Sequence, residues 1–293
     1  MGTETMQSYQ PATHYDHVHD AWRLVMGEDF HYGLFESDCT PLEEATEALT
    51  TRMRARAGIR PGDRVLDVGC GTGRQACDVV AELGASVLGI TTSASGVAAA
   101  AMLARERGLA GADFERRDGT DNGLASDSFD VVWLLESSHL MRDKTALLRE
   151  CARVLAPGGR LVLCDVIRKR DIPFLEVRAR RAEFTMLRRA FGDAHMEHLD
   201  DYATTLAGLA LTVTDATDIT QPTLPTLAAW RANAARHEDA VRQLLGDEGL
   251  DDLVGSTRIL EAFWRDGTLG YGILSAIKRP PDLTSAGNHV KGQ

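Results

Sequence analysis

The sequence predicts an α/β fold: a mostly parallel sheet with helices packed on both of its faces. Three observations carry that reading. Between residues 64 and 168, strand-like and helix-like stretches alternate, the pattern of parallel strands joined by crossover helices. The strand-like stretches, "FDVVWLLE" among them, are near-continuous apolar runs, which marks burial on both faces. A glycine-rich turn, "GCGTG", separates the first strand from the helix after it, where such sheets bind their ligands.

Taken in order, residues 12–58 read as helical with a break at "GEDFHYG". Leu49 and Met53 share a face there, and Gly58 followed by Pro61 is a stop signal. "RVLDVG" (64–69) is the first strand. Helix 74–84 gathers Ala76, Val79, Val80 and Leu83 on one side and closes at Gly84. "SVLGIT" is the second strand, and an alanine-rich helix runs from Ser95 to Arg107. "ADFERRD" (112–118) and "FDVVWLLE" (129–136) are the third and fourth strands. Asp143 is the expected N-cap of helix 144–155, after which "APGG" turns the chain into a fifth strand, "RLVLCDVI". The alternation then loosens. Residues 168–198 are charged and helical, "LDDYATTLAGLAL" is a helix, "TVTDATDIT" a strand, 223–265 a second helical excursion and "GYGILSAIK" the last strand. The expected organisation is a single domain, 1–280. It has a helical cap over 12–58, a core over 60–167 and helical insertions at 168–198 and 223–265, with a flexible tail at 281–293.

Composition narrows the function. Hydrophobic residues make up 44% and charged residues 26%, the profile of a soluble globular protein. No apolar run of about 18 residues is present, so no membrane span is expected. The start, "MGTETMQSYQPATHYD", lacks a signal-peptide layout, and a cytoplasmic enzyme is expected. A net charge of −11 argues against a nucleic-acid partner, whose phosphates demand Lys and Arg. Cys39, Cys70, Cys77, Cys151 and Cys164 are scattered and odd in number, which indicates neither a disulfide framework nor a zinc site. His14, His17 and His19 do not share one helix face and read as polar surface. No metal is expected, and nothing in the sequence decides the oligomeric state.

The turn "VLDVGCGTGR" places glycines at 69, 71 and 73. A dinucleotide fingerprint needs its third glycine where this chain has Arg74, and "LGITTS" lacks the ribose-binding acid. The phosphate-loop pattern fails too, since no G-K-S/T follows. What does match is D-x-G-x-G-x-G, which resembles motif I of the Rossmann-like class I S-adenosylmethionine-dependent methyltransferases. The resemblance is close over 60–167 and extends over 12–280. It is carried by "HYGLFE", "GIRPGDRVLDVGCGTG", "FDVVWLLESSHLM", "RVLAPGGRLVLCDV" and "GYGILSAIKRP". Within the class the chain is similar to small-molecule, natural-product O-methyltransferases of the rebeccamycin sugar and erythromycin types, and more distantly to tocopherol methyltransferases. The resemblance implies S-adenosylmethionine as cofactor. Gly69, Gly71 and Gly73 would let backbone approach it, Asp67 would face its methionine ammonium, and Asp118 with Gly119 would face the adenine. Many members grip the ribose with an acid after the second strand. This chain offers Thr91, Thr92 and Ser93 there, and neutral hydroxyls bind less strongly than a carboxylate.

"WLLESSHLM" (133–141) ends the fourth strand and so falls at the mouth of the site. An alcohol acceptor must lose a proton, and His139 is the suitable base. Asp165, at the end of the fifth strand, is placed to orient it. The matching residues of the rebeccamycin-type enzymes are assigned these roles. Their pattern often has a second histidine where this chain has Leu140, which leaves a single base. Glu136 is read as lining the pocket on the cofactor side. Tyr32 and Phe35, in "FHYGLF", stand either near the sulfonium, which an aromatic face attracts, or in ordinary packing, and the role of His31 stays open. The insertions carry Phe174, Phe184, Met186, Phe191, Met196, Trp230, Phe263 and Trp264, as a lid over the acceptor or as core. The expected reaction is methyl transfer to a hydroxyl of a small secondary metabolite, glycosylated or not. C- or N-methylation, and a cyclase or cofactor-binding protein that transfers nothing, are the alternatives.

Overall fold

A computed structural model describes residues 20–280. His14, His17 and His19, the rest of residues 12–19 and the tail 281–293 lie outside the described residues. Seven strands form one sheet in the order β3-β2-β1-β4-β5-β7-β6. They are β1 (Arg64–Val68), β2 (Ser86–Thr91), β3 (Ala112–Arg116), β4 (Phe129–Leu135), β5 (Leu155–Arg168), β6 (Leu211–Asp218) and β7 (Leu269–Lys278). The first five pair in parallel, and β7 runs antiparallel between β5 and β6. The chain therefore reverses its direction of winding between β1 and β4, and the crevice at their carboxyl ends is the place for a ligand.

Alternation along the strands builds two cores. Val65, Val131, Trp133, Val162 and Cys164 point to one face, beneath the N-terminal helices and the helices 225–265. Leu66, Val68, Val132, Leu134, Leu161 and Leu163 point to the other, beneath Lys144–Val154 and Leu199–Gly208. Both faces are dry, which is why the strands carry no polar alternation.

Local signals explain most boundaries. Asp143 caps helix Lys144–Val154 by accepting from Ala146 N (2.8 Å), as expected. Ser93 accepts from Gly96 N (3.0 Å) and so caps helix Ala94–Glu106, one residue ahead of the expected start. β3 stops at Arg116, two residues short of the sequence reading, because Asp118 Oδ1 accepts from the amide and hydroxyl of Thr120 (both 2.8 Å) and turns the chain. "APGG" lies inside β5, with the pairing to β4 shifted between Phe129 and Val131. The excursion at 223–265 is broken into Thr220–Thr223, Pro225–Arg236 and Glu238–Arg265, the last interrupted at Gly246 (φ 75°). Residues 20–26 are helical, and 27–41 run without regular structure to helix Leu42–Ala57. Among the described residues no helix is long and apolar enough to cross a membrane.

Candidate active site

A cavity of about 960 Å³ opens beyond the carboxyl ends of β1, β2, β4 and β5. Asp67, Gly69, Gly71, Thr91, Thr92, Asp118, Gly119, Glu136, His139 and Tyr32 all line it. Two of the expected catalytic and cofactor-binding residues do not. Gly73 lies behind the cavity, where a Cβ would come within 2.6 Å of Ala100 Cβ and 2.7 Å of the Phe114 ring. Asp165 sits one layer deeper, 1% exposed, beneath His139.

The three glycines of the loop therefore serve different needs. All have positive φ, where only glycine is unstrained. At Gly69 a Cβ would stand 2.2 Å from Ser137 Cβ, so this glycine makes room for the turn after β4. Ser137 Oγ in return donates to Val68 O (2.6 Å), which interlocks the ends of β1 and β4. At Gly71 nothing lies within 4 Å of a Cβ, and its backbone is bare toward the cavity. Asp67 is 5% exposed, and its carboxylate accepts no hydrogen bond from any described residue. Burial pushes its pKa up to about 7. An unpaired buried carboxylate beside a bare backbone loop fits the ammonium of a methionine moiety. Thr91 Oγ1 accepts from Ser93 N (3.2 Å), and the Thr92 hydroxyl has no hydrogen-bond partner among the described residues. Gly119 is pressed against Val68 and Met141, and Asp118 retains Oδ2 for a ligand while Oδ1 holds its turn.

The turn Ser138–Leu140 presents His139. Its Nδ1 stands 2.6 Å from Asp165 Oδ1, so Nδ1–H donates and Nε2 is the acceptor. Asp165 Oδ2 accepts from Ser138 Oγ (2.6 Å) and His139 N (3.0 Å), and Oδ1 also from Val166 N (2.7 Å). Tyr202 in turn donates to Ser138 Oγ (2.8 Å). Burial raises the Asp165 pKa, but the His139 charge and these bonds outweigh it and hold the carboxyl below its ordinary value. Burial likewise lowers the His139 pKa, but Asp165, aided by Glu136, carries it above its ordinary value. The backbone N–H of His195 donates to His139 O (2.6 Å), tying the first insertion to the same turn.

Glu136 has φ 45°, an uncommon left-handed conformation for a non-glycine residue. Its Oε1 accepts from Tyr32 N (2.6 Å) and from the Tyr271 hydroxyl. Burial pushes its pKa up to about 7 against those two bonds. Tyr32 stacks on Trp264 (5.1 Å, 4° between planes) and touches Trp230 and Tyr271. Phe35 is buried away from the cavity. Of the insertion residues, Phe191, Met196 and Trp230 line the cavity. Phe263 and Trp264 are core, and Phe174 is 77% exposed. Phe184 packs on Phe263, and Met186 lies against Gly255.

The sequence reading missed Ser138, Tyr202 and Tyr271. The serine was visible beside His139. The tyrosines come from 64 and 135 residues away, and no local spacing announces them. Among the described residues no group of three or more His, Cys, Asp or Glu could hold a metal ion.

Comparison with known proteins agrees with this geometry. A family model described as "Methyltransferase domain" matches residues 66–163. The 27-O-demethylrifamycin SV methyltransferase of Amycolatopsis mediterranei (strain S699) is 34% identical over 92% of this chain and 96% of its own. Among solved structures, the [4+2]-cyclase SpnF superposes with a TM-score of 0.78 at 27% identity, covering 92% of this chain and 95% of that one. The mycolic acid cyclopropane synthase CmaA1, in complex with SAH and CTAB, superposes with a TM-score of 0.81. At 19% identity, over 92% of this chain and 97% of that one, it shares the fold. The sheet order, the unpaired Asp67 beside a bare glycine loop and a relative matched over nearly its whole length lead to one family: this chain is an S-adenosylmethionine-dependent methyltransferase.

Proposed function

We propose that the chain methylates a hydroxyl of a small, largely apolar secondary metabolite, glycosylated metabolites included, with His139 as general base. The observation that carries this is the 2.6 Å contact between His139 Nδ1 and a buried Asp165, with the ring lining the cavity. A relative named for O-methylation, at 34% identity, supports it.

Asp67 and the Gly69–Gly71 backbone would hold the methionine end of the cofactor, Thr91 and Thr92 the ribose, and Asp118 with Gly119 the adenine. Tyr32 would back the sulfonium. Bound there, S-adenosylmethionine supplies an electrophilic methyl group. The protein's part is to align the acceptor oxygen and remove its proton. With Nδ1–H pinned to Asp165, the Nε2 lone pair of His139 is the acceptor for that proton, and the Asp165 carboxylate stabilises the imidazolium that forms. Leu187, Phe191, Met196, Trp230 and Leu260 line the cavity with apolar surface, and the insertions that carry them would act as a lid that excludes water from the acceptor. A net charge of −11 favours a small-molecule partner over nucleic acid.

Methyl-labelled S-adenosylmethionine, incubated with the protein and a small-molecule extract of the producing cells, tests this. Label on oxygen in a small organic-soluble product is the expected result. Label on carbon or nitrogen instead would replace the O-methyl reading with its nearest alternative. The likeness to a cyclase at 27% identity favours a second reading, a protein that binds the cofactor and transfers nothing. Cofactor binding without movement of label would establish that one. Thorough chelation is expected to leave the transfer rate unchanged, since His139 and Asp165 complete the proton path. Loss of activity restored by magnesium would contradict it.

A further inference from the structure

We infer that Glu136 is the charge selector of the cavity, favouring the cationic sulfonium ligand over the neutral thioether left after transfer. The inference rests on the cofactor reading above. Oε1 of Glu136 takes both protein hydrogen bonds, from Tyr32 N and the Tyr271 hydroxyl. Oε2 takes none from the described residues, and Glu136 lines the cavity. One carboxylate oxygen is thus anchored and the other left for a ligand.

Position says which ligand atom it meets. Asp67 on β1 pairs with Trp133 on β4, and Glu136 follows three residues after that pair, with His139 three residues further on. The reacting sulfur must lie between the ammonium held by Asp67 and the oxygen deprotonated by His139. Glu136 stands at the strand end between those two. Its left-handed backbone (φ 45°) is strained for a non-glycine residue, and such strain collects at functional sites. A structural latch to Tyr32 would need only Oε1.

The other groups around it are accounted for. Tyr32 and Tyr271, both buried, and the Cys164 thiol have pKa values pushed well above their ordinary ones, so all three stay neutral near pH 7. Asp165 stays ionised. Glu136, with its pKa near 7, changes charge in that range, and Asp165 holds the His139 pKa above its ordinary value. Raising the pH ionises Glu136 and neutralises His139, and both changes favour a cation. Asp67 also titrates near 7, but it faces the ammonium that both ligands share, so its effect cancels in their ratio.

Calorimetric titration with S-adenosylmethionine and with S-adenosylhomocysteine, at pH 6 and pH 8, tests the inference without any turnover. In the wild-type protein the preference for the sulfonium is expected to grow about tenfold between the two pH values. In Glu136→Gln, S-adenosylmethionine binding at pH 8 is expected to weaken about tenfold while S-adenosylhomocysteine binding holds. The smaller pH dependence that remains belongs to His139. A wild-type ratio that ignores pH, or equal weakening of both ligands in Glu136→Gln, would overturn the inference. Binding of neither ligand by the wild-type protein would overturn the cofactor reading itself.

Discussion

Replacing His139 by alanine is expected to lower kcat by about 10²–10⁴-fold while leaving S-adenosylmethionine affinity near that of the wild-type protein. Two features set the size of this effect. The imidazole is oriented before substrate arrives, by the 2.6 Å contact from Nδ1 to Asp165. The next position in sequence is Leu140, and His195, bonded to the same turn through its backbone, is not among the residues that line the cavity. The substitution also leaves Asp165 buried with Ser138 Oγ and two backbone amides still donating to it, so the fold should survive. Kinetics with the acceptor found by labelling, together with calorimetric titration of the cofactor, check this. A kcat within threefold of wild type would leave alignment alone to account for the rate.

Replacing Asp67 by asparagine is expected to act in opposite directions on stability and on binding. Its carboxyl is held neutral by burial up to a pKa of about 7, against 3.8 for a free side chain. A raised carboxyl pKa adds stability that is fully present below the unfolded value and is lost as pH rises through the folded one. At pH 8 the ligand-free protein therefore bears a penalty on the order of 4 kcal/mol that asparagine removes. The variant should melt at a higher temperature than wild type at pH 8 and show little difference at pH 4. Its affinity for S-adenosylmethionine should fall, since the ammonium loses its charged partner. Scanning calorimetry at the two pH values, with and without cofactor, separates the effects. A destabilised variant at pH 8 would show that Asp67 is a structural residue.

Much of this was legible in the sequence, for identifiable reasons. β1, β4 and β5 are buried on both faces, so "RVLDV" and "FDVVWLL" announce themselves without long-range information. Asp143 and its helix follow from a cap whose partner is three residues away. The cavity wall was legible as well: Asp67, His139 and Glu136 sit where strands end, and topology alone sends strand ends to the mouth of the crevice. What could not be read depends on contacts between distant segments. Gly69 looked like a glycine that admits a ligand, and what the sequence could not show is that it also makes room for Ser137, 68 residues later. Gly73 looked the same and serves Ala100 and Phe114. Tyr271 reaches Glu136 only because β7 inserts antiparallel beside β5, an order that no local pattern encodes. The aromatic residues of the insertions divide between cavity, core and surface according to how the helices lie on one another. Phe191 and Phe263 therefore looked alike in sequence and ended in different places.

The proton path from acceptor to His139 is the centre of this mechanism, and the pH dependence of kcat/KM tests it most directly. Asp165 raises the His139 pKa above its ordinary 6.5, and only the neutral ring can accept a proton. In the wild-type enzyme kcat/KM for the acceptor, measured at saturating S-adenosylmethionine, should therefore climb with pH and level off at a value above 6.5. In His139→Ala that inflection should vanish and leave a low rate. An unchanged inflection in His139→Ala would mean that the titrating base is another group, and that the His139–Asp165 pair holds the turn without handling the proton.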